Sequence, residues 1–157
     1  MSTSLNDILA GKICPYCNCE TRLVKGDAIY TQRANDPRPP AYLSRNHYQC
    51  VNNPDHYVGT YTNSKKYFGR IADAELRIWK RRGHEIFEPL WKDLKYFKSS
   101  QQAYRWLSNL MELPKKHTHF GMFTIEQCKQ AIDIIEGFKR EKDNNQSNVF
   151  LDQFARL

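Results

Sequence analysis

The segments Cys14-Pro15-Tyr16-Cys17 and Cys50-Val51-Asn52-Asn53-Pro54-Asp55-His56 decide how this chain folds. Two thiolates three residues apart on a tight turn can reach one metal ion, and a tetrahedral structural site then needs two further ligands. Cys50 supplies the third ligand, and His56, six residues later, supplies the fourth. Because thiolate and neutral imidazole suit zinc, the spacing predicts one structural Zn²⁺ bound by three cysteines and one histidine.

Two other side chains compete for the fourth ligand position. Cys19 lies two residues after Cys17, so it can replace His56 or remain a free thiol near the site. His47 lies three residues before Cys50 and forms a second knuckle-like pair with it, although we expect His47 to be an exposed strand residue. A thioredoxin-like redox role for the first cysteine pair needs a βαβ context, which the strand-like residues after it do not provide.

The composition favours a reduced compartment and an acidic partner. Lys and Arg number 24 against 17 Asp and Glu, a formal net charge of +7 that favours polyanions, usually nucleic acid. Five cysteines, three of them within residues 14–19, suit a metal site better than a disulfide framework. The sequence shows no signal peptide and no apolar run near the ~20 residues of a membrane span, so we expect a soluble, cytoplasmic protein.

Residues 1–66 are predicted to form an N-terminal zinc-ribbon-like β module. After a short helix capped by Ser4, this part carries Tyr, Val, Ile and Thr in loosely alternating segments, which is typical of strands. The predicted strands are 21–25, 28–33, 45–50 and 57–61. The proline-rich stretch 35–40 interrupts them as a loop. Because aliphatic side chains are few here, we expect the fold of this module to depend on the metal.

Residues 67–140 are predicted to form a helical module of about three helices, in which apolar residues recur about every 3.6 positions. We expect a kink or break between Gly83 and Pro89. Ser99 and Thr124 each precede a Gln by three residues, and this capping-box spacing predicts the starts of two further helices.

The remaining residues, 141–157, are predicted to be a polar linker and a short amphipathic tail. Cys128 falls on the apolar stripe of the last helix, so we interpret it as a core residue and not as a ligand. The predicted fold class is therefore α+β, with the N-terminal β module packed on the C-terminal helical module.

The sequence resembles a family of small zinc-finger-containing proteins of unknown function, found mostly in bacteriophages and prophages. The resemblance covers roughly residues 12–136, and its knuckles are similar to those of a topoisomerase-type zinc ribbon, with His56 where that ribbon has a cysteine. It implies the fold and a phage-like origin, but no activity. The segments that carry it are Cys14-Pro15-Tyr16-Cys17, Tyr57-Val58-Gly59, Gly69-Arg70-Ile71-Ala72-Asp73-Ala74-Glu75-Leu76-Arg77 with the segment 84–92, and Ala103-Tyr104-Arg105-Trp106-Leu107 with His119-Phe120-Gly121-Met122-Phe123 and Gln127-Cys128.

Two classes of function compete. A run of basic residues around the first long helix can neutralise phosphates, and tyrosines on the β side can stack bases. The sequence therefore predicts a small zinc-binding accessory protein that binds nucleic acid weakly, in a salt-dependent way and without catalysis. The alternative is a phage-encoded inhibitor or adaptor that binds a host or defence protein. The predicted nucleic-acid-binding residues are Lys65, Lys66, Arg70, Arg77, Lys80, Arg81 and Arg82.

An enzyme, such as a nuclease, ranks third. His84 lacks the second histidine four residues later that a zincin helix needs, because position 88 is a glutamate. His117 and His119 lack a carboxylate partner in the local sequence. We interpret this stretch as a loop in which one of the two histidines is packed or hydrogen-bonded against Trp91 or Trp106. The basic run has the simpler interpretation of a solvated helix face.

Overall fold

The computed structural model describes residues 4–30, 41–60, 69–93 and 96–155, with only the backbone described at 41–42 and 147–155. Within these residues the chain forms two compact units. The first unit contains the residues up to Ile78 together with Gly121–Phe123, and the second contains Trp79–Phe120 and the residues from Thr124 onward. A small antiparallel sheet and several C-terminal helices confirm the predicted α+β class. The predicted boundaries near residues 66 and 140 stay predictions.

The first unit is built on a sheet that has three strands in the described part of the chain. Strand β1 (Thr21–Lys25) pairs antiparallel with β2 (Asn46–Cys50), which pairs antiparallel with β3 (Tyr57–Gly59). Thr21 lies opposite Cys50, so the start of β1 and the end of β2 meet at one end of the sheet. Three short helices accompany the sheet, namely α1 (Leu5–Leu9), α2 (Asp27–Tyr30) and α3 (Ala41–Ser44).

The strand predicted at 28–33 is wrong where the structure describes it. The carbonyl of Gly26 accepts hydrogen bonds from the amides of Ile29 and Tyr30, both at 2.9 Å, and this closes the helical turn of α2. The side chain of Tyr30 is buried by this turn, an outcome that the alternating pattern did not distinguish from a strand. The loop predicted at 35–40 lies outside the described residues.

His47 on β2 is buried and not exposed as predicted, with 3% of its surface accessible. Its Nδ1–H donates to the carbonyl of Arg45 at 3.0 Å, so Nε2 is the acceptor for the hydroxyl of Tyr30 at 3.4 Å. The ring also makes edge contacts with Tyr30 and Tyr57. His47 is therefore a satisfied core histidine, because both ring nitrogens have protein partners.

The long helices begin and break where the sequence predicts. Helix α4 (Ala74–Phe87) is followed by α5 (Pro89–Lys92), with the break at Glu88, because proline has no N–H to continue the ladder. Ser99 caps α6 (Ser100–Met111) by accepting the amide of Gln102 at 3.2 Å. Two 3-10 turns, Lys115–His117 and Phe120–Met122, lead to the last helix.

The last helix, α7 (Ile125–Ala155), is longer than predicted. It starts with the expected reciprocal cap, in which Thr124 and Gln127 each bond the other's backbone amide with their side chains. The polar linker predicted after residue 141 is helical instead, with residues 141–146 exposed. After Gly137 the sequence contains neither glycine nor proline, so no residue of the strongest helix-breaking types interrupts the helix. None of the helices in the described ranges has the length and apolar character needed to cross a membrane.

The second unit has an aromatic core in which one glycine allows a close contact. Phe87 makes edge contacts with Trp91 and Tyr104, each with 4.9 Å between ring centroids. Phe120 is fully buried, and its ring lies so close to α4 that a Cβ on Gly83 would be 2.0 Å from Cε1. Only glycine at position 83 lets the ring approach the helix backbone this closely.

Candidate metal centre

The first cysteine pair lies on a tight turn that closes on itself. The bridge between Ile13 and Glu20 brings the ends of the turn together. Inside it, the amide of Cys14 donates to the carbonyl of Cys19, and the amide of Asn18 donates to the carbonyl of Cys14, both at 2.8 Å. Asn18 has a φ of 54°, in the left-handed region that asparagine tolerates better than most residues. The turn therefore directs the Cys14 and Cys17 thiols to the same side.

The second pair lies on the turn between β2 and β3. Cys50 is the last residue of β2, and His56 directly precedes β3. The amide of Cys50 donates to the carbonyl of His56 at 2.9 Å, and the amide of His56 donates to the carbonyl of Asn53 at 3.1 Å. The side-chain oxygen of Asn53 also accepts the amide of Asp55 at 3.0 Å, as in an Asx turn. These bonds fix the cysteine and the histidine side by side.

The structure brings together the four residues that the sequence predicts as metal ligands. The ligand atoms of Cys14, Cys17, Cys50 and His56 all lie within 4.8 Å of one another. Nδ1 of His56 is 3.6 Å from the Sγ atoms of both Cys14 and Cys17. A tetrahedral zinc with Zn–S near 2.3 Å and Zn–N near 2.0 Å places its sulfur and nitrogen ligands about 3.6 Å apart. The spacing between these ligand atoms therefore fits a zinc ion.

The four ligands lie in a small apolar core. Cys14 and Cys50 are almost inaccessible, at 0% and 1%, and they pack with Val58 and Ile71. Tyr16 covers the site from outside, with its ring centroid 4.5 Å from that of His56. Nε2 of His56 lies 3.4 Å from the side-chain amide of Asn53. Because metal binding at Nδ1 leaves the proton on Nε2, this amide nitrogen, itself a donor, is a neighbour of Nε2 and not an acceptor for its N–H.

The pKa values of the clustered cysteines determine how many thiolates the site holds without a cation. Burial disfavours the Cys50 thiolate, but hydrogen bonds from the Cys19 thiol and from the amides of Asn52 and Asn53 outweigh it and lower the pKa of Cys50 to about 6. Burial and the neighbouring Cys50 sulfur raise the pKa of Cys17 to about 12. The pKa of Cys14 is also raised, chiefly by burial. Alone, the cluster favours one thiolate, and further thiolates need a bound cation.

Cys19 and His47, the two other candidates for the fourth ligand, are not members of the four-residue cluster. Sγ of Cys19 lies 3.3 Å from Sγ of Cys50, but Cys19 is not a member of the four-residue cluster. His47 is hydrogen-bonded to Arg45 and Tyr30, as described above. The position of Cys19 next to a ligand was one of the two alternatives that its spacing allowed.

The predicted nucleic-acid-binding residues do not share one role. Lys65 and Lys66 lie outside the described residues. The half-buried Arg70 donates from Nε to the carbonyl of Met122 at 3.2 Å, and burial lowers its pKa. Arg77 donates to the carboxylate of Asp55 at 2.9 Å and to the carbonyl of Ala72 at 2.7 Å. These two arginines therefore hold the first unit together.

The C-terminal half of α4 keeps basic residues at the surface. Lys80 is half-buried, and Arg81 and Arg82 are exposed. The guanidinium of Arg82 lies 5.4 Å from the ring centroid of Trp79, and Nζ of Lys129 on α7 lies 5.2 Å from it. Neither Trp79 nor Lys129 was among the site residues predicted from the sequence. Trp79 and Arg82 are three positions apart on one helix, and this spacing was the signal in the sequence for the contact between the ring and the guanidinium.

A family model for a zinc-finger-containing domain matches residues 10–138. No curated protein and no solved structure matches the chain. Because the match covers most of the 157 residues, the chain belongs to this family of zinc-finger-containing domains. The expected phage origin and the likeness to topoisomerase knuckles stay predictions.

Proposed function

We propose that this member of the zinc-finger-containing family binds one structural Zn²⁺ through Cys14, Cys17, Cys50 and His56, and that it binds nucleic acid without catalysis. The observation that carries the zinc proposal is the cluster itself, with all ligand atoms within 4.8 Å of one another. Four protein ligands complete a tetrahedron and leave no open position for water or substrate. The zinc then holds the two turns at one end of the sheet together.

The nucleic-acid proposal is supported by charge and by one surface. The formal net charge is +7, and Arg81 and Arg82 are exposed on α4. Trp79, Arg82 and Lys129, which we call the Trp79 patch, combine an aromatic face with two cations. Aromatic rings stack unpaired bases, and cations neutralise phosphates. Because Arg70 and Arg77 are hydrogen-bonded within the first unit, we narrow the proposed surface to Lys80, Arg81 and the Trp79 patch of the second unit, and the predicted contacts at Lys65 and Lys66 stay predictions.

Metal analysis tests the zinc proposal. Protein purified without chelator is expected to carry one zinc per chain, and His56→Ala and Cys17→Ser are expected to lose it. Cys128→Ala is the matched control, because this buried cysteine lies in the second unit. A protein without zinc would refute the site. Retention of full zinc by His56→Ala together with loss by Cys19→Ala would show that the fourth ligand is Cys19.

Fluorescence anisotropy with labelled single-stranded and duplex DNA and RNA tests the second proposal. We expect weak binding that falls steeply with salt. The double variant Arg81→Glu with Arg82→Glu is expected to reduce the salt slope by about two, since each lost phosphate contact removes about one. Lys115→Glu with Lys116→Glu is the matched control, because it changes the net charge equally at exposed residues of a 3-10 turn. Equal loss in both variants would refute the proposed surface.

A further inference from the structure

A fifth sulfur lies against the metal centre without belonging to it. Sγ of Cys19 is 3.3 Å from Sγ of Cys50, which is one of the four clustered ligands. Cys19 is partly exposed, whereas Cys50 is 1% accessible. An external oxidant can therefore reach Cys19 more easily than its buried neighbour.

The backbone of both turns holds the Cys19 sulfur in this place. The carbonyl of Cys19 accepts the amide of Cys14 at 2.8 Å, inside the turn closed by Ile13 and Glu20. The amides of Val51 and Asn52 on the opposite turn favour its thiolate, but burial outweighs them and raises the pKa of Cys19. Cys19 lies two residues before β1, and Cys50 ends β2 opposite Thr21, the first residue of β1. Their proximity therefore follows from the fold and not from adjacency in the sequence.

We propose that Cys19 and Cys50 form a site of reversible oxidation by hydroperoxides, and that formation of a Cys19–Cys50 disulfide releases the metal ion. This inference rests on the proposed zinc site. The sulfur of Cys19 first attacks one oxygen of hydrogen peroxide, the O–O bond breaks, and the departing hydroxide takes up the thiol proton, so a sulfenic acid and water form. The Cys50 thiolate then attacks Sγ of Cys19, a sulfur–sulfur bond forms, and hydroxide leaves. Both sulfurs are oxidised by one electron each, and the peroxide is reduced to water and hydroxide.

Only a small movement is needed to bring the two sulfurs to bonding distance. A disulfide needs a sulfur–sulfur distance of about 2.05 Å, so the two atoms must approach by roughly 1.3 Å. Cys50 in a disulfide no longer offers a thiolate to the metal, and three of the four clustered ligands remain. A structural zinc site with an incomplete ligand set loses affinity, and its loss loosens the unit that it holds.

The test uses the zinc-loaded full chain and hydrogen peroxide. Released zinc is followed with a chromogenic chelator, and the oxidised protein is digested with trypsin under non-reducing conditions. Cleavage after Lys12, Arg22, Arg45 and Lys65 yields the peptides 13–22 and 46–65, which carry Cys19 and Cys50 respectively. We expect these peptides to be joined, with fragmentation spectra placing the link at Cys19. Reduction with added zinc is expected to restore one zinc per chain.

Three variants separate the outcomes. Cys19→Ser is expected to keep its zinc, and to lose the linked peptides and the reversible release. Cys128→Ala is expected to behave like the unmodified chain. If zinc-loaded protein releases metal through a Cys14–Cys17 bond, and Cys19→Ser releases it equally fast, the inference is wrong. If Cys19→Ser binds no zinc, Cys19 is a ligand and the inference is also wrong. If Cys14→Ser, which leaves the pair intact, binds no zinc but still forms the Cys19–Cys50 link, the pair is supported independently of the metal.

A failure of the zinc proposal is distinguishable from a failure of this inference. Purified protein that lacks zinc but forms the link between peptides 13–22 and 46–65, with the bond placed at Cys19, refutes the metal site and supports the cysteine pair. Purified protein with one zinc that forms no such link refutes the pair and supports the site.

Discussion

Substitution of alanine for two helical glycines is expected to change stability in opposite directions. At Gly83 an added Cβ would lie 2.0, 2.3 and 2.7 Å from three ring atoms of Phe120. Real Cβ atoms stay about 3 Å or more from such neighbours, so the ring must move by roughly 1 Å. Phe120 is fully buried and packs against Phe87 and His84, so this shift disturbs the core of the second unit.

The magnitude follows from two opposing effects at Gly83. Alanine favours a helix over glycine by about 1 kcal/mol. Overpacking a filled core costs typically about 1–3 kcal/mol, and full expulsion of a buried phenylalanine costs about 3–5 kcal/mol. The net cost is about 0–2 kcal/mol if the ring shifts and about 2–4 kcal/mol if it is expelled, so we expect Gly83→Ala to lower the free energy of unfolding by up to about 4 kcal/mol.

Gly137 on α7 is the matched control. The nearest heavy atom to a Cβ built there is the terminal nitrogen of Arg140, at 4.0 Å, so the added methyl group meets open space. We expect Gly137→Ala to raise the free energy of unfolding by about 0.5–1 kcal/mol, because glycine is the more flexible residue in the unfolded chain.

Urea denaturation followed by circular dichroism at 222 nm measures both changes. A double variant with Phe120→Ala extends the test, because removal of the ring should abolish the penalty of alanine at position 83. If Gly83→Ala stabilises the protein as much as Gly137→Ala, or if its effect is unchanged without the Phe120 ring, the close contact between helix and ring is not real.

Three further predictions follow from the site and the helices. Strong chelation is expected to remove hydrogen-exchange protection from the amides of the two cysteine turns while most of the helical circular dichroism signal remains, and melting of α6 and α7 with the turns would contradict this. Asn18→Gly is expected to retain more stability than Asn18→Ala, by about 1 kcal/mol in thermal or urea unfolding, because both remove the same side chain but only alanine is strained at a φ of 54°. Burial lowers the pKa of His84 against the opposing charge of Glu88, so the folded state binds the proton less readily than the unfolded state. Stability should therefore fall as the pH drops below about 6.5, and His84→Gln should reduce that fall in urea titrations at several pH values.

The metal cluster was predictable because ligand spacing is local and strict. Cys-x-x-Cys fixes two sulfurs on one turn, and the six-residue spacing from Cys50 to His56 fixes the other two candidate ligands on a second turn. The meeting of the turns then required only that β1 and β2 pair with Thr21 opposite Cys50. Capping boxes at Ser99 and Thr124 were equally local, and both lie at helix starts.

Other features depend on contacts between distant residues and were not predictable in this way. The ring of Phe120 packs against Gly83, 37 residues earlier, and neither residue signals the other in the sequence. Within the strand predicted at 28–33, the described residues 28–30 form a helical turn, since the carbonyl of Gly26 accepts the amides of Ile29 and Tyr30. A weakly alternating segment has little intrinsic preference, so tertiary context decides its conformation.

The basic residues of α4 show that charges counted in the sequence do not by themselves identify an exposed basic surface. Arg77 is one of the predicted nucleic-acid contacts, but it donates to Asp55, 22 residues earlier, and its guanidinium lies 4.0 Å from the ring centroid of Tyr57. Charge reversal at Arg77 would therefore break contacts within the first unit next to His56, and a loss of binding would not distinguish a lost phosphate contact from damage to the proposed zinc site. Arg81, one helical turn later, is exposed. A binding defect caused by Arg81→Glu with Arg82→Glu, in protein that still carries zinc, is the result that separates recognition from folding.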